Sequence, residues 1–550
     1  MIKNNLSRDR IGKYTRDGTW LGLTLPSLVD RAAETFPNKI FMTDSKRKVT
    51  YKEFDLITRR LALGLNRMGV KKGDLVGIQL PDRIEYFAMV VAAARIGALY
   101  VPFNHQFREG DLVPLLEFCK PILMTIPLEF RNFDYLPLYR DLRSRFSWLK
   151  YILVSDGVSK EDEDGIVSIE RMMETPLEKE YPDGYLEKLI PDPNDLCFIL
   201  LTSGTTDIPK GVMHTHNTWI CGCLNQWAQL AIRPDDVLLN LYPMFGTSAQ
   251  VHMTAILFHR ASVVTMDRFR GEDALKLVEK EQVTIIGGVA AHLIDMLNAP
   301  NFNKYDLGSL RVVYSVGGPV TSALARQVEE RMKCRISLLW GSSEATGHTQ
   351  TLLTDPDAIR LGTVGRPVPY MEVKAIDGEG REVPPGKAGE LVVRGPNNFV
   401  GYYNNPKLNQ ETIDKDGWFR TGDMGIFDRK GNLTIAGRVK DMILRGGENI
   451  YCREIEELLA KHPKVKDIAI VGAPDERLGE IVCACVIAKP GEIVTFKEII
   501  SFLKGRIEIH KIPERVEVMD AFPMTDAKKI IKAKLREIVN NKIIKEKRLA

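Results

Sequence analysis

The sequence is poor in the features that most readily announce a function. Its eight cysteines include no CxxC pair; the close ones, Cys221/Cys223 and Cys483/Cys485, sit in apolar runs. Zinc ribbons and disulfide frameworks are thereby excluded, and buried thiols in a reducing compartment are predicted. Nine histidines show no HExxH spacing, and His214/His216 is the only close pair, which argues against a metal site built on histidines. Charge of one sign is scarce too: 76 basic against 72 acidic residues leave a net +4. Nucleic acid is not an expected partner, and the basic cluster KIIKEKR reads as a solvated helix face. The opening MIKNNLSRDR lacks an apolar core, so no secretory signal is expected. The most lipophilic window, Tyr86 to Phe103, is broken by Arg95 and Gly97; it predicts a buried helix running into a strand and no integral membrane association. Repeats and low-complexity tracts are absent. A cytoplasmic protein is expected.

What is present is the texture of a large globular chain. With 550 residues, 44% hydrophobic and 27% charged, more than one domain is required. From about residue 25 to 350, helix-period segments such as YKEFDLITRRLALGLNRMG alternate with strand-like runs such as LVGIQL and VTIIGGV. That rhythm predicts layered α/β structure with parallel strands. Between about 362 and 437 short alternating strands separated by glycine turns predict a β-rich subdomain. The pattern helix, strand, strand, helix beyond GRVKD predicts a small α+β domain. We therefore divide the chain into 1–439 and 440–550.

Chemistry concentrates in a few stretches. After the apolar run LCFIL comes LTSGTTDIPKG, Leu201–Gly211. Small hydroxylated residues and glycine let backbone amides close round an anion, and Lys210 adds a point charge. The order is not that of a Walker P-loop, in which glycines precede Gly-Lys-Ser/Thr. YSVGGPV and LLWGSSEAT each carry a predicted strand into a glycine-containing turn, where doubly wound sheets bind ligands. WFRTGD, GRVKDMILRGGENIYCREIE and PMTDAKKI follow.

In this order the motifs resemble those of the AMP-forming adenylating superfamily: acyl-CoA synthetases, peptide-synthetase adenylation domains and firefly luciferase. The resemblance spans nearly the whole chain. It implies a large N-terminal domain and a small mobile C-terminal domain, with ATP, Mg²⁺ and coenzyme A as reaction partners. A carboxylate would be activated as a mixed anhydride with AMP and passed to a thiol. On this resemblance Lys529 bridges the carboxylate and α-phosphate, Glu344 with Thr206 binds Mg²⁺, and Thr202, Ser203, Gly204, Thr205, Thr206 and Lys210 hold the pyrophosphate. Asp423 accepts the ribose hydroxyls and Arg438 contacts ribose or phosphate. Trp340, Gly341 and Ser343 lie beside the nucleotide, with Gly317, Gly318 and Pro319 as the adenine's other wall. Lys440 is the hinge, and Gly446 and Gly447 belong to the loop that shapes the thiol tunnel. The acyl pocket is assigned to Trp227, Phe245, Gly246, Val289, Ala290, Val316, Gly341, Ser342 and Thr346. These are mostly apolar or small, which implies a hydrophobic monocarboxylic acid: alicyclic, aromatic, branched or medium-chain. A homodimer is compatible with the resemblance.

Departures from the pattern also carry expectations. Asp207 replaces a glycine in the phosphate loop, which predicts weaker pyrophosphate binding and readier reversal of the reaction. Gly246 replaces a histidine or other aromatic, which opens the acyl pocket. Lys528 replaces a glycine beside Lys529. GGENIYCREIE is closer to the CoA-ligase form than to the peptide-synthetase form. The alternatives are an acyl- or aryl-AMP ligase loading a carrier protein, and a catalytically degenerate ligand-binding relative.

Overall fold

A computed structural model of the chain describes residues 6–157, 165–202, 210–445, 448–525 and 529–549. Two large sheets form the N-terminal part. One runs, in spatial order, through strands Thr346–Gln350, Arg335–Ser342, Val312–Ser315, Ile285–Gly287, Val237–Asn240, Ser262–Val264 and Ile40–Thr43. Its centre is parallel, from Arg335–Ser342 across to Ile40–Thr43, and antiparallel strands close both edges. The second sheet orders Lys210–Thr215, Leu196–Thr202, Leu99–Pro102, Leu75–Ile78, Leu123–Pro127 and Tyr151–Ser155, extended by Ile166–Ser168. The parallel layers expected from the sequence rhythm are present; the antiparallel edges are an addition.

One core joins the two sheets through the helices between them. Every residue of helix Ile84–Arg95 is buried, including Glu85 and Arg95. Such a helix is apolar all round because it lies between other helices, Leu25–Thr35 and Tyr51–Arg67, and the sheet strands Leu75–Ile78 and Leu99–Pro102, which explains the lipophilic window. Arg95 is tolerated there because Asp30 and Asp55 both pair with it, at 2.8 and 2.5 Å. Among the described residues no helix is long and apolar enough to cross a membrane.

A four-stranded antiparallel sheet, Glu372–Ile376, Ala388–Arg394, Phe419–Phe427 and Leu433–Arg438, accounts for the β-rich stretch. Beyond it, residues from Ile443 onward build their own cores, separate from the N-terminal ones. The long hairpin Val465–Asp475/Gly479–Ala488 dominates there. The helix–strand–strand–helix reading is extended by three elements: the hairpin Ile443–Arg445/Glu448–Ile450, the parallel strand Arg515–Val518 and the helix Lys532–Leu549. The hairpin strands have three residues each and the parallel strand four, too short to show a period. All eight cysteines are free and buried, as expected.

Candidate active site

The site forms where the carboxyl ends of the parallel strands meet the four-stranded sheet and the C-terminal domain. Strands Arg335–Ser342 and Thr346–Gln350 form a hairpin whose ladder closes at Ser342↔Thr346. Ser343, Glu344 and Ala345 make its tip, so the turn thrusts the Glu344 carboxylate out of the sheet. Thr346 closes this three-residue loop at φ 53, a left-handed conformation that usually falls to glycine. It is held there by close packing. A Cβ on Gly341 would lie 1.9 Å from the Thr346 carbonyl oxygen, and one on Gly222 would lie 2.1 Å from the Thr346 hydroxyl. Gly341 thus closes the hairpin.

Three neighbours fix Glu344. The Tyr402 hydroxyl donates to Glu344 Oε1 at 2.8 Å. The Phe399 amide donates to the Glu344 carbonyl at 2.6 Å. His214 Nε2 donates to the Ser343 carbonyl at 2.8 Å, and burial holds that ring neutral, with its pKa lowered to about 4. The Ser343 hydroxyl shares a 2.7 Å hydrogen bond with Thr247. Burial, and then the negative charge of Glu344, raise the Tyr402 pKa, so the phenol stays a donor.

Asp423 and Arg438 face each other across the strands Phe419–Phe427 and Leu433–Arg438. The register sets their contact: Arg438 Nε donates to Asp423 Oδ1 at 3.0 Å. Trp340 Nε1 donates to the other oxygen at 2.8 Å. Trp340 is itself buried and packs on His348 with ring centroids 4.3 Å apart.

Lys529 comes from the C-terminal domain. Thr525 shapes its loop: the Thr525 amide donates to the Lys529 carbonyl at 2.8 Å, and the Lys529 amide donates to the Thr525 hydroxyl at 3.1 Å. The ammonium reaches the Gly317 turn, lying 3.7 Å from where a Gly317 Cβ would stand. Gly317 has φ 89, so the turn suits glycine on both counts. Although Lys529 keeps contact with solvent, crowding by protein lowers its pKa, and Arg438 lowers it further. Lys440, in the short turn Val439–Asp441, is lowered by the same two causes, with Lys210 contributing. Lysines 210, 440 and 529 and Arg438 thus form a cationic rim, suited to a polyphosphate.

Lys210 opens its strand directly opposite Thr202, where the partner strand ends, and its ammonium lies 5.5 Å from the Tyr402 ring centroid. Ser203, Gly204, Thr205, Thr206 and Asp207 between them lie outside the described residues, as do Gly446, Gly447 and Lys528. Gly318 and Pro319 are exposed beside Gly317.

The pocket candidates divide into two groups. Gly246, Val289, Ala290, Val316, Ser342 and Thr346 lie at or beside strand ends and helix starts. Trp227 is fully buried behind them, packed on His252 and Tyr314 at 5.1 and 5.9 Å. Phe245 turns to His105, 6.0 Å away. Sequence reasoning missed Tyr402 and His348 altogether, considered Thr247 only as a pocket residue, and considered His214 only as half of a close histidine pair. Their partners are remote in sequence, and a tyrosine or histidine in an apolar run gives no signal of its own.

Among the described residues no group of three or more His, Cys, Asp or Glu could hold a metal ion. Glu344 Oε2 has no protein partner among them. A single carboxylate suits Mg²⁺ that arrives on substrate phosphates.

Residues 29–403 match the AMP-binding enzyme family, and residues 454–529 match the AMP-binding enzyme C-terminal domain. The chain is 30% identical over 544 residues to the medium-chain fatty-acid–CoA ligase of Escherichia coli (strain K12), covering 98% of this chain and 94% of that one. It is 31% identical over 544 residues to the 2,3-dihydroxybenzoate-AMP ligase of Bacillus subtilis (strain 168), covering 96% of each. Among solved structures, an ATP-bound RpMatB–BxBclM chimera superimposes with a TM-score of 0.83 at 26% identity, covering 94% of this chain and 99% of that one. The chain belongs to the AMP-binding enzyme family, the adenylate-forming ligases.

Proposed function

We propose that the protein is an AMP-forming acyl-CoA synthetase acting on a hydrophobic monocarboxylic acid with an alicyclic, aromatic, branched or medium-chain body. The observation that carries this is the grouping of Lys529 with Arg438 and Asp423 beside the Gly317 turn, with Glu344 bound by Tyr402, whose ring Lys210 overlies. In the first step the substrate carboxylate oxygen attacks the α-phosphorus of ATP, and the bond to pyrophosphate breaks. Negative charge crowds the α-phosphate in the transition state, where preorganised cations act most strongly. Lys529 supplies that charge and also holds the attacking carboxylate. Asp423 keeps one lone pair on each oxygen beyond those used by Arg438 and Trp340, so it can accept two ribose hydroxyls. The loop 203–206 with Lys210 holds the departing pyrophosphate. Mg²⁺, when bound on the phosphates, neutralises their charge, and Glu344 and Thr206 would hold it.

In the second step the CoA thiol attacks the acyl carbonyl and AMP leaves with the bonding pair. We assign the hinge between the steps to Lys440, between domains 1–439 and 440–550, and the thiol tunnel to the loop around Gly446 and Gly447. The placement of Lys529 against Gly317 corresponds to the adenylating orientation. Relatives named as medium-chain fatty-acid–CoA and indoleacetate–CoA ligases support the substrate class. We place the enzyme in the cytoplasm, and a homodimer is compatible with this reading.

A second reading is favoured by the aryl-AMP ligase relative: transfer of the acyl group to a carrier protein. Acid-dependent exchange of pyrophosphate into ATP, measured over a panel of acids, tests the first step. Thioester formation with CoA then separates the two readings. No exchange with any acid would overturn both.

A further inference from the structure

The N-terminal helix Arg8–Arg16 buries none of its residues fully, so no apolar face explains why it packs where it does. Its anchors are polar. The Arg10 guanidinium enters the turn at 395–399, where Nη2 donates to the Gly395 carbonyl at 3.3 Å and also to the Asn398 carbonyl, while Nη1 donates to the Phe399 carbonyl at 3.4 Å. Trp20 supports the same turn, its indole N–H donating to the Pro396 carbonyl at 3.3 Å. Among the described residues no carboxylate pairs with Arg10, and burial of its charged end lowers its pKa to about 10.

This is a costly use of a charge. A desolvated cation without a counter-ion is unfavourable, and carbonyl dipoles converging on one point repel each other unless a cation sits among them. The arrangement therefore draws the Gly395, Asn398 and Phe399 carbonyls toward one point, alongside the bonds that Asn397 and Asn398 make on the same turn. The last residue of that turn, Phe399, donates its amide to the Glu344 carbonyl at 2.6 Å. Three residues further on, Tyr402 donates to the Glu344 carboxylate at 2.8 Å. One short segment thus grips both the backbone and the side chain of Glu344, and Arg10 grips that segment from behind.

We propose that Arg10 is a positioning residue for adenylation: through the segment 395–402 it sets the orientation of the Glu344 carboxylate, making the N-terminal helix part of the catalytic apparatus. The inference rests on the adenylating reading of the site. It accounts for a guanidinium at this place, whose planar fork aims Nη1 and Nη2 at separate carbonyls in fixed directions, whereas an ammonium is a single point with rotating donors.

The test uses the full chain and the two half-reactions separately. Arg10→Met keeps the apolar stem and removes the donors; Arg10→Lys keeps the charge; Tyr402→Phe removes the last link. Expected is a fall of about tenfold in kcat for acid-dependent pyrophosphate exchange in Arg10→Met, with a smaller fall in Arg10→Lys. Thioester formation from pre-made acyl-AMP and CoA should be preserved. Tyr402→Phe should lower exchange similarly, and the double variant should be no worse than the worse single one, because both act through one segment. Equal loss of both half-reactions in Arg10→Met would mean a general effect on folding and would overturn the proposal. So would unchanged exchange, or losses that multiply in the double variant. If Arg10→Met does not fold, the comparison of Arg10→Lys with Tyr402→Phe decides by the same criteria. Absence of exchange in the wild type would instead bring down the adenylating reading itself.

Discussion

Trp340 donates its indole N–H to Asp423 Oδ2 at 2.8 Å, tying the aromatic residue expected against adenine to the carboxylate expected on ribose. The indole N–H leaves from the ring edge, so donating to Asp423 does not use the ring face. Trp340→Phe keeps the face and removes the donor. A hydrogen bond to a charged group is worth about 1.5–3 kcal/mol, so the KM for ATP should rise roughly tenfold or more, with kcat less affected. Discrimination between ATP and 2′-deoxy-ATP should narrow in the same variant. Steady-state kinetics with both nucleotides check this, and an unchanged KM would separate Trp340 from ribose recognition.

Lys529→Ala should reduce adenylate formation by roughly 10²–10³-fold, the scale of removing one preorganised transition-state donor. Thioester formation from pre-made acyl-AMP should be largely spared. Equal loss in both steps would argue against a C-terminal domain that alternates between two orientations. Should Lys528→Ala be the damaging change and Lys529→Ala harmless, the active lysine is Lys528.

The lowered pKa of Lys529, from crowding first and Arg438 second, sets the sign of an alkaline limb. The ammonium is the active form and loses its proton at lower pH than an ordinary lysine. Exchange activity should therefore decline on the alkaline side before free lysine would titrate. In Lys529→Arg, whatever activity remains should lose this limb, which a pH–rate profile reads directly.

Buried histidines set an acid limit on stability. Burial lowers His214 and His216 to about 4, and His252 and His348 to about 3. Their unfolded value is about 6.5. Between the two values the unfolded chain binds more protons, so stability is full above about pH 6.5 and falls as pH drops toward the folded values. Each imidazole contributes a slope of up to about 1.4 kcal/mol per pH unit in that window. Urea unfolding at pH 7 and pH 5 should show the loss, and His252→Asn should reduce it.

Gly246→His should be tolerated by the fold. Its backbone has φ −89, and an added Cβ would meet only the Pro243 carbonyl oxygen at 3.2 Å among near contacts. If this position borders the acyl pocket, the variant should reject bulky ring acids while keeping a short straight-chain acid. Competition between two such acids tests it; unchanged selectivity places Gly246 outside the pocket.

Residues whose chemistry is tied to a fixed spacing were legible in the sequence. Glu344 in its turn, Asp423 in WFRTGD and Arg438 before the boundary lie in short glycine-bearing motifs, and Lys529 lies in PMTDAKKI near the end. The layered fold was legible because helices and strands alternate with clear periods. Tyr402, His214 and Arg10 were not, for a physical reason. Two of them act on backbone carbonyls, which every residue carries, and Tyr402 meets Glu344 from 58 positions away. The antiparallel edges escaped as well, since pairing direction leaves no trace in a run of apolar residues.

The contact between Gly222 and Thr346 has a consequence for altering what this enzyme accepts. Gly222 lies on helix His216–Trp227, which carries a candidate pocket wall, and Thr346 closes the turn that carries Glu344. With the Thr346 hydroxyl 2.1 Å from where a Gly222 Cβ would stand, helix and turn meet with no room for a side chain between them. A substitution that shifts the helix to reshape the cavity must carry the turn with it, so selectivity and turnover are mechanically linked along this face. At Gly246 an added Cβ would press on the Pro243 carbonyl oxygen at 3.2 Å and on no residue of the Glu344 turn, so a substitution there does not push on that turn directly.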